Sequence, residues 1–133
     1  MSAQNAYETY QSQAVTTASP GQLTLMLYNG CLKFIRRAQT ALVNEDLEEK
    51  NTNLLKAQNI LQELMVTLDT NVDVADHMMQ MYDYIHRRLI EANVNNDGDI
   101  LEEVAGYVTE FRDTWKEVLR INRKEQYGGS GQA

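Results

Sequence analysis

Residues 19–43, SPGQLTLMLYNGCLKFIRRAQTALV, decide the fold of this 133-residue chain. Ser19 fits the N-cap position of a helix, and Pro20 fits its first turn. Gln22 stands where its amide can reach back to the cap backbone, which completes a capping box. Pro20 is the only proline of the chain, and apolar residues recur at helical spacing after it. The stretch therefore predicts a long first helix that ends near Val43.

Three further stretches carry the same helical spacing of apolar residues. They cover about 46–68, 74–93 and 99–123, and the polar stretches DTNVD and NNDG separate them as turns. No alternating strand pattern competes with these helices. Because short connections make consecutive helices antiparallel, the sequence predicts an all-α, up-down four-helix bundle over residues 19–124. Residues 1–18 form a separate N-terminal segment in this interpretation, and residues 125–133 form a flexible C-terminal tail.

Composition and charge exclude several classes of protein. The net charge of −7 and the lack of clustered cations argue against binding a nucleic acid backbone. No stretch is long and apolar enough to cross a bilayer, and the N-terminus lacks the pattern of a secretory signal. Cys31 lies in the apolar setting LYNGCLKF, which indicates a buried thiol. We therefore expect a cytoplasmic protein that does not insert into membranes.

Two patterns imitate metal sites without completing them. Residues 93–104 resemble a calcium-binding EF-hand loop, but Val104 stands where the loop requires a bidentate glutamate. A turn followed by a helix cap is the preferred interpretation. Asp83 and His86 imitate one half of a di-iron site, but His77 has no matching partner on another helix. Since no nucleophile, base or phosphate-binding loop stands out, the sequence predicts no enzyme activity, no metal and no cofactor.

Apolar residues outside the core stripes are the main functional signal. On helix 1 the expected core stripe consists of Leu23, Leu27, Gly30, Phe34, Ala38 and Ala41. A wide bundle core accounts for part of the surplus, but helix 1 carries an apolar arc that two neighbouring helices would not cover. The surplus residues are Leu25, Tyr28 and Leu32 on helix 1, Leu55 and Val66 on helix 2, and Met79 on helix 3.

Four segments together resemble the FliS family of flagellar export chaperones, most closely its Bacillus-type members. They are YETYQ at 7–11, SPGQLTLMLYNGCLKFI at 19–35, MYDYIHRRLIEAN at 81–93 and FRDTWK at 111–116. The resemblance implies a four-helix bundle that binds the disordered C-terminal segment of flagellin one-to-one in the cytoplasm. It also implies that the chaperone prevents premature polymerisation and assists delivery to the flagellar type III export apparatus.

The resemblance further implies roles for the N-terminal segment and for the surplus apolar residues. The family uses this segment as a movable cap over part of its binding surface, which assigns Tyr7, Tyr10 and Gln11 to the cap. Tyrosine rings can lie on an apolar face while their hydroxyls stay near water, so such a cap is displaceable. Helical angles then place the flagellin-binding groove at Leu25, Tyr28, Leu32, Leu55, Val66 and Met79.

A helical adaptor that dimerises through its surplus apolar face is the alternative. It would form a stable dimer and have no flagellin client. A capped chaperone would be mainly monomeric and would form a one-to-one complex, so stoichiometry separates the two hypotheses.

Overall fold

The computed structural model describes residues 19–132, with side chains described through residue 124. The four helices are α1 Pro20–Val43, α2 Leu47–Thr67, α3 Ala75–Asn95 and α4 Gly98–Gln132. Helix α1 packs against α2 and α4, and α3 packs against the same two helices, so the helices form a ring in chain order. The described residues contain no strand. This arrangement confirms the predicted all-α four-helix bundle.

Local signals start the first two helices. The backbone N–H of Gln22 donates to Ser19 Oγ at 3.2 Å, and the Ser19 N–H donates to Gln22 Oε1 at 3.2 Å. The predicted capping box is therefore present. Asp46 caps α2 by accepting the Glu49 N–H at 3.1 Å. Each carboxylate or hydroxyl satisfies a backbone donor that the first helical turn leaves without an internal partner.

The stretch NNDG forms a capped turn rather than a cation-binding loop. Asn96 adopts a left-handed conformation with φ 52°, and Asp97 Oδ1 accepts the Asp99 N–H at 2.9 Å. Val104 is completely buried in the core. Asp83 forms an ion pair with the arginine one turn further along α3. Among the described residues, no group of three or more potential ligands is placed to hold a metal ion.

The core lies along the bundle axis and receives side chains from every helix. Cys31 is fully buried, and burial raises the pKa of its thiol, so the cysteine packs as a small apolar residue. The most deeply buried apolar side chains include Leu27, Ile35, Leu54, Leu61, Ile85, Leu89, Leu101 and Val104. Every helix therefore supplies apolar side chains to the core, and on α1 these include Ile35, which lies outside the predicted stripe.

Lys50 is a buried cation that joins α2 to the end of α3. Its ammonium group donates to the backbone oxygen of Asn93 at 2.9 Å and to Asn93 Oδ1 at 2.7 Å. Burial lowers the pKa of Lys50. A cation beside the last carbonyls of a helix also interacts favourably with the helix dipole.

Helix α4 extends beyond its predicted end. The sequence predicts that it stops near Arg123, with a separate tail from residue 125, but the helix continues to Gln132. Gly128 and Gly129 reduce helix propensity by about 1 kcal/mol each relative to alanine, which weakens a helix without forbidding it. The N-terminal segment at 1–18 lies outside the described residues.

A pair of buried tyrosines links α1 to α3 and gives a testable energetic prediction. The hydroxyls of Tyr28 and Tyr82 lie 2.5 Å apart in a hydrogen bond, and both rings pack against Phe111. Burial raises the pKa of both phenols, so both stay protonated. Replacing either tyrosine alone with phenylalanine leaves a buried hydroxyl unpaired, at a cost of about 1–2 kcal/mol.

The double replacement is expected to cost less than the sum of the two single replacements, because it removes both hydroxyls together. Urea unfolding of the two single variants and the double variant measures this coupling. Strictly additive losses would contradict it.

Candidate functional site

Tyr28 is a core residue, which corrects its predicted place in the groove. It is only 2% exposed, and its hydroxyl is paired with Tyr82. The buried arc of α1 is wider than the predicted stripe, because Cys31 and Ile35 follow Tyr28 into the core at spacings of three and four. The ring of Tyr28 is therefore not available on the outer surface of the bundle.

Leu25 and Leu32 lie on the side of α1 that faces α4. The indole N–H of Trp115 donates to the backbone oxygen of Gly21 at 2.7 Å, and Arg36 forms an ion pair with α4 at 2.9 Å. Leu25 follows Gly21 by one turn, and Leu32 precedes Arg36 by one turn, so both leucines share this side. Both are half-buried. We call these two residues the α1/α4 surface.

The other three predicted groove residues lie where α2 meets α3. Asn93 Nδ2 donates to Asn51 Oδ1 at 2.8 Å, which marks this side of both helices. Leu55 follows Asn51 by one turn, Val66 lies three turns further on, and Met79 precedes Asn93 by two heptads. Leu55 is 47% exposed and Val66 is 80% exposed, whereas Met79 is half-buried. We call these three residues the α2/α3 surface.

These two surfaces face in opposite directions. In the ring of helices, the side between α1 and α4 lies across the core from the side between α2 and α3. The predicted single groove is therefore two separate apolar surfaces. The sequence places each of these residues on the correct helix. Helical angles show which flank of that helix a residue occupies, but they do not show which neighbouring helix the flank faces.

An unsatisfied polar atom lies beside the α2/α3 surface. His86 lies one heptad after Met79 and one heptad before Asn93, so it belongs to the same flank of α3. Its Nε2 atom is buried and has no hydrogen-bond partner among the described residues. Ile90 is exposed one turn further along. Buried polar atoms are normally paired, so a missing partner at this position is notable.

The side between α3 and α4 is closed by an ionic network. Tyr84 donates to Glu103 Oε2 at 2.6 Å, and Arg88 donates to Glu103 Oε1 at 2.8 Å. The hydrogen bond from Tyr84, followed by the one from Arg88, lowers the pKa of the Glu103 carboxyl. Tyr107 packs edge-on against Tyr84. This side is thus covered by the chain's own polar contacts.

A cavity of about 710 Å³ opens at the end of the bundle where α1 and α3 begin. Tyr28 and Tyr82 line it together with Trp115, and Ser19 and Pro20 line it too. Apolar side chains from the other helix ends complete it, including Leu64, Leu68, Met78 and Leu119. The sequence does not predict this cavity, because the cavity depends on how the ends of four helices meet.

Gly21 allows the close approach of α1 and α4 beside the cavity. A β carbon at this position would lie 2.7 Å from Leu119 Cδ2, so any larger residue would require Leu119 to move. The indole of Trp115 closes over the same point through its bond to the Gly21 carbonyl. The signals that could have revealed this contact are a glycine in the first helical turn and the single tryptophan of the chain.

No helix among the described residues is both long and apolar enough to span a membrane.

The fold has a solved counterpart, since a bacterial flagellar chaperone of known crystal structure matches 88% of this chain and 97% of its own chain. The TM-score of this match is 0.72 at 20% sequence identity. At that identity, the match concerns the fold alone.

Sequence comparisons identify the family. The family model described as flagellar protein FliS matches residues 3–122. The flagellar secretion chaperone FliS of Bacillus subtilis is 56% identical over 131 residues, which cover 98% of each chain. The flagellar secretion chaperone FliS of Salmonella typhimurium is 37% identical over 108 residues, 79% of this chain and 80% of its own. The chain therefore belongs to the FliS family of flagellar secretion chaperones.

Proposed function

We propose that this chaperone binds the disordered C-terminal segment of flagellin one-to-one in the cytoplasm. It thereby prevents premature polymerisation and presents its client to the flagellar export apparatus, without catalysing a reaction. The observation that supports this proposal is the presence of apolar side chains on two opposite sides of a bundle whose core is already complete. Apolar surface that a folded chain leaves uncovered is typical of a protein interaction site.

The client segment is proposed to wrap around the bundle. Amphipathic helices bind such surfaces by placing apolar side chains at helical spacing into the groove between two helices. One client helix lies on the α1/α4 surface and a second lies on the α2/α3 surface. A segment of about 40 residues can supply two helices of roughly 15 residues and a connection around the bundle. The client folds as it binds, which moderates its affinity.

His86 supports the assignment of the α2/α3 surface. Its Nε2 is a buried polar atom on this flank that has no hydrogen-bond partner among the described residues. A client that repacks the side chains over this atom can supply a polar group to complete its hydrogen bonding, and a buried polar atom is stabilised by such a partner. Leu55, Val66 and Met79 supply the apolar contacts beside it.

The N-terminal segment is proposed to act as a cap at the end of the bundle. It joins the bundle at Ser19, which lines the cavity. Tyr7, Tyr10 and Gln11 lie only 8 to 12 residues before this point, which is well within reach of an extended chain. The rings of the two tyrosines fit the apolar lining beside Trp115, and their hydroxyls can stay near water. Gly21 lines the cavity one turn before Leu25, so a client helix on the α1/α4 surface reaches the cap and displaces it.

Calorimetric titration with the last 40 or so residues of flagellin tests this proposal. The full chain is expected to bind one-to-one with a negative heat-capacity change, as apolar burial requires. A variant lacking residues 1–18 is expected to bind more tightly, because the client no longer displaces the cap. Weaker binding by the truncated variant would contradict the cap and would make Tyr7 and Tyr10 client contacts.

Failure of both forms to bind would contradict the flagellin proposal. Sedimentation of the free protein then decides the alternative, because an adaptor that pairs through its apolar face would be a stable dimer. A monomer that binds flagellin excludes that alternative.

A further inference from the structure

The side between α1 and α2 carries a group of cations that the proposed flagellin surfaces do not use. The ammonium groups of Lys33 and Lys56 lie 5.6 Å and 5.1 Å from the centroid of the Phe34 ring. The guanidinium carbon of Arg37 lies 5.9 Å from the same centroid. Phe34 itself is only 9% exposed, so the cations cover it. We call Lys33, Arg37 and Lys56 the basic cluster.

The basic cluster is unusual in its charge balance. Helix α1 contains three cations and no acidic residue, although the chain has a net charge of −7. Arg36 has an acidic partner on α4, whereas the three cations around Phe34 form no ion pair among the described residues. The aromatic ring attracts each of them weakly but does not neutralise them. Asp46 and Glu49 line a cleft together with Arg37, but neither carboxylate forms an ion pair with the cluster.

The size of the cluster restricts what it can bind. Glu49 and Glu63 lie seven residues before and after Lys56 on the same face of α2, about 10 Å away on each side. The positive region is thus confined to about two helical turns between two acidic residues. A nucleic acid or an anionic membrane presents a continuous array of phosphates, which these glutamates would repel. A short acidic segment of a protein has no such conflict.

We propose that the basic cluster is a docking site for an acidic helical segment of a second protein partner. Lys33 and Arg37 are four residues apart, so they present their charges one turn apart on α1. Glutamates four residues apart on a partner helix have the same separation, about 6 Å. Lys56 on α2 faces the pair across the helix boundary and holds a third carboxylate. This site is separate from the α1/α4 and α2/α3 surfaces, so the partner can bind while flagellin is held.

Peptide binding to the full-length protein tests the proposal. The probe is a labelled alanine-based helical peptide of about 18 residues with glutamates four residues apart on one face. Its matched control peptide carries glutamine at the same positions. We expect the glutamate peptide to bind at low ionic strength and to weaken as salt rises, since exposed charges are screened. The glutamine peptide is expected not to bind.

Two protein variants with the same charge change locate the site. Replacing Lys33 and Lys56 with glutamine is expected to weaken peptide binding about five- to tenfold, as the loss of two exposed ion pairs allows. Replacing Lys116 and Lys124 of α4 with glutamine removes the same charge from another exposed region and is expected to leave binding unchanged. Thermal unfolding confirms that both variants remain folded.

Three outcomes would overturn the proposal. Equal weakening by both variants would mean that only net charge matters, and binding of the glutamine peptide would mean that carboxylates are not recognised. An absence of binding by the unaltered protein would exclude the site. Flagellin titration of the Lys33→Gln, Lys56→Gln variant is expected to match that of the unaltered protein, so failure of this site is distinguishable from failure of the flagellin proposal.

Discussion

Replacing Leu55 and Val66 together with aspartate is expected to weaken flagellin binding by about a hundredfold or more. Both side chains are exposed in the free protein, so the replacement leaves the core intact. Burying two such side chains against a client contributes about 3 kcal/mol, which corresponds to about two orders of magnitude in affinity. Two charges placed against an apolar client face add to the loss. Calorimetric titration with the flagellin C-terminal segment measures the effect.

A matched control separates the surface from a general effect of charge. Ile121 is 41% exposed and Thr114 is exposed, and both lie on the flank of α4 from which Glu103 contacts α3. Replacing these two with aspartate introduces the same two charges away from both proposed surfaces, and we expect affinity to stay within about twofold. An equal loss in this control would show that the α2/α3 surface has no special role.

A third variant tests whether the client also covers the α1/α4 surface. Replacing Leu25 and Leu32 with aspartate is also expected to weaken binding, because the proposed client covers both surfaces. These leucines are half-buried, so thermal unfolding must accompany the titration. Unchanged affinity in a folded variant would confine the client to the α2/α3 surface and exclude the wrapped path.

Replacing Trp115 with alanine is expected to lower the free energy of unfolding by about 3 kcal/mol. The indole packs beside the core, and its N–H donates to the Gly21 carbonyl at 2.7 Å. Removing a large aromatic side chain from a core costs about 3–5 kcal/mol, and the partial exposure of Trp115 places it at the lower end. Circular dichroism during urea unfolding is the measurement, because the variant has lost the only tryptophan of the chain.

Two controls divide this loss into packing and hydrogen bonding. Replacing Trp115 with phenylalanine keeps a ring but removes the bond to Gly21, and we expect a loss of about 1–2 kcal/mol. Replacing the exposed Lys116 with alanine is expected to change stability by less than about 0.5 kcal/mol. A Trp115→Ala variant as stable as the Lys116→Ala variant would show that the contact between the first turn of α1 and α4 contributes nothing.

The sequence was sufficient to predict the helices and most of the core. The capping box at Ser19, the cap before α4 and the apolar stripes are local signals, because each depends on residues within one or two turns. Val104 illustrates this, since an apolar residue at the last position of the loop was enough to set aside calcium binding. The predicted end of α4 was wrong. Glycine weakens a helix, but the backbone hydrogen bonds of the helix can outweigh that loss.

The candidate site was only partly predictable. Helical angles put Leu55, Val66 and Met79 on flanks outside the core stripes, where the structure also has them. They could not show that Tyr28 reaches the core, because its burial depends on Tyr82 and Phe111 from two other helices. The cavity and the division into two opposite surfaces arise from tertiary packing, which no single helix encodes.

The hydrogen bond from Trp115 to Gly21 has a consequence for the order of events during synthesis. The two residues are separated by 94 positions, so the first helix of the bundle is completed by the last one. A growing chain that has not yet released α4 from the ribosome possesses neither the wall of the cavity nor the α4 side of the α1/α4 surface. Contacts between distant parts of a chain also form late in folding. A chain whose synthesis is unfinished therefore lacks one of the two proposed client surfaces until α4 has left the ribosome.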